Sequence, residues 1–354
     1  MKILFIVPYP LGKAPSQRFR FEQYFSILES QQIAYEVVPF LSNKTWEILY
    51  LPGRFFTKAL AILGGLFKRF FLLFRLRSFD YLFIHREASP IGPPFFEWIA
   101  AKILGKKIIY DFDDAIWIPN YSEANSLFSF LKGYPNVKHI CRWAYKVSCG
   151  NEYLCAFASR YNKRVVYNPT TIDTVHLHNQ VKDQLSEKLV IGWTGSHSTI
   201  RYLNDLIPVL RELEEKYPFD FLVISDLKPE FSLRSLTYIP WNKENEIQDL
   251  LKMNIGIMPL RDDKWAQGKC GFKALQYMAL GIPALVSPVG VNTRIVDHGI
   301  NGFLCTSPEE WKSAIEKLLT DSHERQRIAR NTRKKIEEAY SVNSNTANFI
   351  QLFS

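Results

Sequence analysis

Gly256-Ile257-Met258-Pro259-Leu260 is followed, after a polar loop to Gln267, by Gly268-Lys269-Cys270-Gly271-Phe272-Lys273-Ala274-Leu275-Gln276-Tyr277-Met278-Ala279-Leu280-Gly281-Ile282-Pro283. The order is an apolar strand, a glycine-bearing turn, an amphipathic helix from Gly271 to Leu280, and a further strand at Pro283–Ser287. A helix that starts on a glycine turn exposes free backbone N–H groups and the positive end of its dipole. Lys269 and Lys273 flank that start, so cations, amides and dipole converge on one point, as a phosphate requires. Gln276, three residues after Lys273, shares its helix face and is placed to hydrogen-bond a neutral hydroxyl pair such as a ribose.

The same alternation runs outward in both directions. Before it, Leu189–Trp193 reads as a strand leading into Thr194-Gly195-Ser196-His197-Ser198-Thr199. A helix over Ile200–Tyr217 follows, carrying Arg201 within reach of an anion at the turn. Strands at Phe219–Ile224, Leu236–Ile239 and Ile255–Leu260, a helix over Asn245–Met253, and helices from Pro308 onward complete this half. In the N-terminal half the strands are Lys2–Val7, Ile33–Val38, Asp80–His85, Lys107–Asp111, Lys146–Cys149 and Arg164–Tyr167. The helices between them are Arg18–Ser30, Pro93–Leu104 and Glu152–Arg160. Continuous apolar strands separated by helices predict parallel sheets covered on both faces. Asn168–Asp173 and the polar stretch to Lys188 separate two such series. The expected domains are 1–170 and 171–340, with 341–354 returning to the first. Two tandem βαβ domains place ligands outside the carboxyl ends of their strands, in a cleft between them.

Composition agrees with this reading. The chain has 354 residues, 47% hydrophobic and 22% charged, enough for two cores and too apolar for disorder. Five cysteines (Cys141, Cys149, Cys155, Cys270, Cys305) without CxxC spacing give no disulfide framework or regular zinc site and suit a reducing compartment. Met1 runs straight into KILFIV and a proline-containing turn, which is not a signal-peptide pattern.

The net charge is +9, and its excess is local. Between Glu47 and Asp80 no acidic residue occurs, while Arg54, Lys58, Lys68, Arg69, Arg75 and Arg77 are basic. On a helix the first five of these fall in one arc, opposite a face of Phe and Leu that includes Phe67 and Phe71. Gly64 and Gly65 predict a kink or two shorter helices, at about 1 kcal/mol each. Lys58, Lys68 and Arg69 inside the segment argue against a membrane span. Segment 52–78 therefore reads as a helix lying in a membrane interface, its cations toward anionic headgroups. The plainer reading is a helix packed on the N-terminal sheet with a solvated basic face. Nucleic acid is disfavoured, because the aromatics lie away from the charges.

Together with Ser287-Pro288-Val289-Gly290-Val291-Asn292 and Asn301-Gly302-Phe303-Leu304, the stretch from Gly256 to Leu304 resembles the nucleotide-sugar-binding domain of the retaining family-four glycosyltransferases. Pro15-Ser16-Gln17-Arg18-Phe19-Arg20 and Ile109-Tyr110-Asp111-Phe112-Asp113-Asp114 extend the resemblance to the first half. It implies the α/β GT-B fold, two Rossmann-like doubly wound parallel-sheet domains facing across a cleft. It also implies transfer of a sugar, with retention, from a nucleotide-diphosphate sugar to a glycan or lipid-linked acceptor, as in cell-surface polysaccharide or glycolipid synthesis. Donor binding then falls to Gly12, Arg18, Gly195, Ser196, Arg201, Lys269, Gly271, Phe272, Lys273 and Gln276. The family's two glutamates, eight positions apart, would fall on Gly268 and Gln276, and neither is Glu here.

His85, at a strand end, matches a family histidine that contacts the donor sugar; the plainer reading is a structural histidine. Asp111, Asp113 and Asp114 end the next strand, and such close carboxylates raise one another's pKa unless cations compensate. Asp113 or Asp114 is placed to orient the acceptor hydroxyl or take its proton. Asp111-Phe112-Asp113 imitates a DxD metal motif, but the lysines supply positive charge without a metal, so neither metal nor cofactor is expected. For Arg18 a surface salt bridge is the competing reading. The expected site of action is the cytoplasm, peripheral on the inner face of the cell membrane. Two alternatives are a GT-B-like sugar-nucleotide epimerase, which would need no membrane helix, and a catalytically weak nucleotide-sugar-binding scaffold.

Overall fold

The computed structural model describes residues 1–49, 53–119, 133–186 and 188–354. Pro52, the first residue of the expected basic segment, and Glu187 of the connector lie outside them. The chain divides into two units, Met1–Thr170 with Thr346–Ser354, and Thr171–Asn345. Residues 341–345 stay with the second unit, because Ile172 and Val342 exchange backbone hydrogen bonds with Tyr340 and Ile172.

Unit 1 holds β1 (Lys2–Val7), β2 (Ala34–Pro39), β3 (Tyr81–His85), β4 (Lys107–Phe112), β5 (Lys146–Cys149) and β6 (Val165–Tyr167). They form one parallel sheet in the order β2-β1-β3-β4-β5-β6. From Ile3 to Val7, β1 is fully buried, as an apolar run covered on both faces must be. Phe5 packs against Phe21 and Phe83 at ring separations of 5.3 and 5.0 Å. The returning segment closes this core: Phe349 stacks on Tyr24 at 4.2 Å, and Phe353 packs on Tyr81 and Phe83.

Unit 2 holds β7 (Leu189–Gly195), β8 (Phe219–Ser225), β9 (Leu236–Pro240), β10 (Ile255–Met258), β11 (Ala284–Val286) and β12 (Gly302–Leu304). Its parallel order is β12-β11-β10-β7-β8-β9. Trp193, Phe221, Ile257, Leu285 and Ile315 lie in its core. In a sheet of this order the chain reverses direction between β7 and β10, and loops leaving the two strands diverge there, opening a crevice at their carboxyl ends. In unit 1 the corresponding point lies between β1 and β3.

Three expected helices differ, and of these Arg18–Ser30 resolves into a 3-10 turn, Glu22–Tyr24, and an α-helix, Phe25–Ser30. Ile200–Tyr217 is a 3-10 turn, Ile200–Asp205, followed by an α-helix, Ile207–Glu214. Pro208 causes the break, since it lacks an N–H and its ring would strike the carbonyl four residues earlier in a continuous helix. Arg201 therefore sits on a 3-10 turn rather than one turn into an α-helix.

Phe55–Leu73 is one continuous helix of 19 residues, without the expected break at the glycines. Gly65 seats it: a Cβ there would lie 2.5 Å from the Phe40 ring, so the missing side chain lets the helix approach. Its orientation reverses the plainer sequence reading. Arg69, expected at a membrane surface, is only 3% exposed. Its guanidinium donates to the carbonyls of Val7 (3.0 Å) and Val38 (3.0 Å) near the ends of β1 and β2, and to that of Ala88 (2.7 Å) in the loop after β3. Lys68 donates to the Pro39 carbonyl and Arg75 pairs with Glu36 at 2.9 Å. The apolar face points outward, with Phe56 88%, Phe74 72% and Phe71 63% exposed, alongside Phe55, Leu60, Phe67 and Phe70. Carbonyls at strand ends need donors, and this helix supplies them with its basic side.

Candidate active site

In unit 2 the turn after β7 and the helix Phe272–Ala279 meet at the strand-order reversal. Gly195 makes this contact possible, because a Cβ there would stand 2.9 Å from Cε of Lys273 and 2.5 Å from the Trp193 ring. Lys273 lies across the strand end, donating to Oγ1 of Thr199 at 3.2 Å, with Nζ 4.8 Å from the Trp193 ring centroid. Burial and the neighbouring Lys269 charge push its pKa down to about 7. Lys269 rests over Trp265 at 3.5 Å. The Ser196 carbonyl accepts from the N–H groups of Thr199 (2.9 Å) and Ile200 (3.1 Å), and its hydroxyl pairs with Ser198.

Gly271 begins the lysine-bearing helix at φ +68°, a left-handed conformation suited to glycine. A Cβ there would also lie 2.2 Å from Cδ1 of Ile295. Gly271→Val is expected to destabilise the chain by roughly 2–4 kcal/mol, combining backbone strain and overpacking. The check is the denaturant midpoint, and an unchanged midpoint would contradict this role for the glycine.

Gln276 and Arg201 are placed differently from expectation. Gln276 is buried, 2% exposed, and its amide donates to Glu246 at 3.3 Å rather than facing an open ribose site. Glu246, which the linear motif does not signal, thus brings a carboxylate beside a position where the family has its own. Arg201 is exposed, its guanidinium 5.3 Å from the Tyr202 ring centroid. Phe272 is half-buried beside Lys273.

In unit 1 sheet register assembles the second cluster. His85 on β3 stands opposite Asp111 on β4, and Asp111 opposite Ser148 on β5. All three are buried. His85 Nδ1 lies 2.8 Å from Oδ2 of Asp111, and the Ser148 hydroxyl donates to Oδ1 at 2.6 Å. Arg20 pairs with both Asp111 oxygens and also donates to the Asn168 carbonyl. Arg86, at φ +61°, pairs with Asp113 at 2.7 Å and Asp114 at 3.1 Å.

These arginines decide the carboxylate electrostatics. Burial acts to raise the pKa of Asp111, but Arg20 and the bonded His85 outweigh it and hold the carboxyl well below its usual range. Asp113 is likewise lowered, because Arg86, His85 and Arg20 overcome its burial. The mutual repulsion expected from the sequence is thus compensated. Arg18 is buried rather than at the surface, with its guanidinium 5.0 Å from the Phe19 ring. The Gly12 N–H donates to Glu22 at 2.8 Å, and Gln17 ties down Tyr9 through both its N–H and its carbonyl. The sequence reading missed Arg20: in Gln17-Arg18-Phe19-Arg20 either arginine could turn inward.

Two parallel-sheet units of these strand orders, with two lysines at a glycine-started helix in the second, define a GT-B-type α/β fold. The family described as glycosyl transferases group 1 matches residues 220–335, in agreement with the resemblance carried by Gly256–Leu304. The capsular polysaccharide biosynthesis glycosyltransferase CapM of Staphylococcus aureus is 25% identical over 184 residues, 48% of this chain and 47% of CapM. The match thus spans about half the length of that relative. Sucrose-phosphate synthase from Thermosynechococcus elongatus superposes with a TM-score of 0.66 at 12% identity, covering 99% of this chain and 98% of that one. Anabaena Alr3699/HepE in complex with UDP-glucose gives 0.62 at 15% identity, covering 99% and 98%. At such identities these structures establish the shared fold.

Proposed function

We propose that the chain is a glycosyltransferase that moves a sugar, with retention, from a nucleotide-diphosphate sugar to a glycan or lipid-linked acceptor in cell-surface polysaccharide or glycolipid synthesis. The observation that carries this is Lys273, a desolvated cation held between Thr199, Trp193 and Lys269 at a helix start. Such a group lacks a counter-charge that a diphosphate would supply. A leaving diphosphate gains negative charge as the glycosidic bond breaks, and preorganised cations and N–H dipoles stabilise it. Lys269, Lys273, the turn at Gly195 and Ser196, and the helix start at Gly271 take this role, with Arg201 swinging in from the surface. His85 contacts the donor sugar, and Asp113 or Asp114 orients the acceptor hydroxyl or takes its proton. CapM's name and the UDP-glucose bound to HepE support the substrate class.

The transfer is of hexosyl type and runs without a metal. Asp111 and Asp113, the would-be DxD pair, spend their charge on Arg20 and Arg86. Among the described residues no helix is long and apolar enough to cross a membrane. The outward Phe face of the Phe55–Leu73 helix instead supports peripheral attachment to the inner face of the cell membrane, with Arg54 and Lys58 near its start meeting anionic headgroups.

Thermal shift against a panel of nucleotide sugars is expected to raise the midpoint by a few degrees for one donor class, as mass action requires. Release of nucleoside diphosphate should then depend on a lipid-linked or sugar acceptor and survive EDTA. No shift with any nucleotide sugar would remove the donor site from unit 2.

A further inference from the structure

His85 has two ring nitrogens in different surroundings. Nδ1 contacts Asp111 at 2.8 Å, whereas Nε2 is buried without a hydrogen-bond partner. The nearest carboxylate oxygen to Nε2, Oδ1 of Asp113, is 4.0 Å away and is drawn off by Arg86 at 2.7 Å. A buried polar nitrogen with no partner carries a desolvation penalty that a ligand hydroxyl would relieve.

We propose that Asp111 is a positioning residue: it fixes Nδ1 of His85 as the protonated nitrogen and leaves Nε2 to exchange a hydrogen bond or proton with a substrate hydroxyl. The identity of that hydroxyl rests on the glycosyltransferase reading; the tautomer does not. An ionised carboxylate can only accept, so the nitrogen facing it must donate. Arg20 on two oxygens and the Ser148 hydroxyl on Oδ1 keep Asp111 ionised and stop its carboxylate from rotating. Asn168 donates to Ser148 at 3.1 Å and its carbonyl holds Arg20, so the support is itself supported. The groups facing the imidazole are Asp111 from β4, Asp113 with Arg86 from the loops after β4 and β3, Arg20 behind Asp111, and the Phe21 ring at 5.6 Å. The geometry generalises a known arrangement, in which a buried carboxylate sets a histidine's tautomer while the other nitrogen faces substrate.

The test begins with the full chain labelled with 15N-histidine. In the neutral ring, long-range proton–nitrogen correlations are expected to show Nδ1 protonated and Nε2 bare for His85, assigned by its loss in His85→Gln. A neutral ring protonated at Nε2 overturns the proposal. This measurement needs no turnover, so an absence of glycosyl transfer would defeat the functional reading alone. In kinetics, Asp111→Asn is expected to lower kcat on the order of 100-fold with donor KM within about twofold. A folded variant with unaltered kcat overturns the proposal. Should Asp111→Asn not fold, the tautomer in the unaltered chain decides.

Discussion

Lys273→Ala weakens binding of a nucleoside diphosphate by on the order of 10–100-fold, the loss expected for a hydrogen bond to a charged group. Its stability moves the other way. A lysine whose folded pKa is pushed down to about 7 binds fewer protons in the folded than in the unfolded state between about pH 7 and 10.4. Stability therefore rises with pH across that window, and the lysine's penalty is fullest below pH 7. Removing the side chain removes the penalty, so the variant's unfolding midpoint near neutral pH should equal or exceed that of the unaltered chain. Donor binding has the opposite pH slope. A diphosphate favours the ammonium form, so above pH 7 binding must take up a proton, and affinity falls by up to about tenfold per pH unit. Calorimetry in two buffers of different ionisation heat measures that uptake. Unchanged affinity and uptake in Lys273→Ala would exclude this residue from the donor site.

The second large effect concerns the outward face of the Phe55–Leu73 helix. Replacing Phe56, Phe67 and Phe71 with Ser is expected to reduce partitioning onto vesicles by at least about 100-fold, since burying each ring contributes on the order of 1.5–3 kcal/mol. All three rings are exposed, so the fold should hold. Neutralising Arg54 and Lys58 should cost less, about 1 kcal/mol each at low salt, and only with anionic lipid. Cosedimentation with neutral and anionic vesicles at low and high salt separates the two terms. Binding that survives loss of the rings, or vanishes entirely in salt, would show that charge holds the chain there. Glu substitution at Arg69 tests something else, because that side chain holds the carbonyls of Val7, Val38 and Ala88.

The strands were legible because a parallel sheet covered on both faces needs unbroken apolar runs, and Lys2–Val7, Tyr81–His85 and Leu189–Gly195 are such runs. The three-residue β12 is too short to show a period. Pro208 announced a helix break in plain letters, and the apolar spacing on either side of it masked that signal. Lys269, Gly271 and Lys273 could be found because they are neighbours on one helix start. Asp111 and Ser148 meet only through strand register, Arg20 reaches them from the turn after the Pro15–Arg18 helix, and Glu246 meets Gln276 only through packing. Amphipathic spacing told which residues share a face of the Phe-rich helix, but not which face turns inward. Carbonyls near the ends of β1 and β2 that accept from Arg69 and Lys68 settled that, and they are invisible to a hydrophobicity pattern.

The segment Thr346–Ser354 bears on how the chain comes to be folded at all. Phe349 and Phe353 plug the aromatic interior of unit 1, yet the whole of unit 2 separates them from the rest of it in the chain. During synthesis, the six strands of unit 1 emerge first and must wait with an unfilled hole over Phe5, Tyr24 and Phe83 until unit 2 has been made. The half that starts first is thus completed last. Loosening in those final aromatics would be felt far from them along the chain, under the sheet that carries His85.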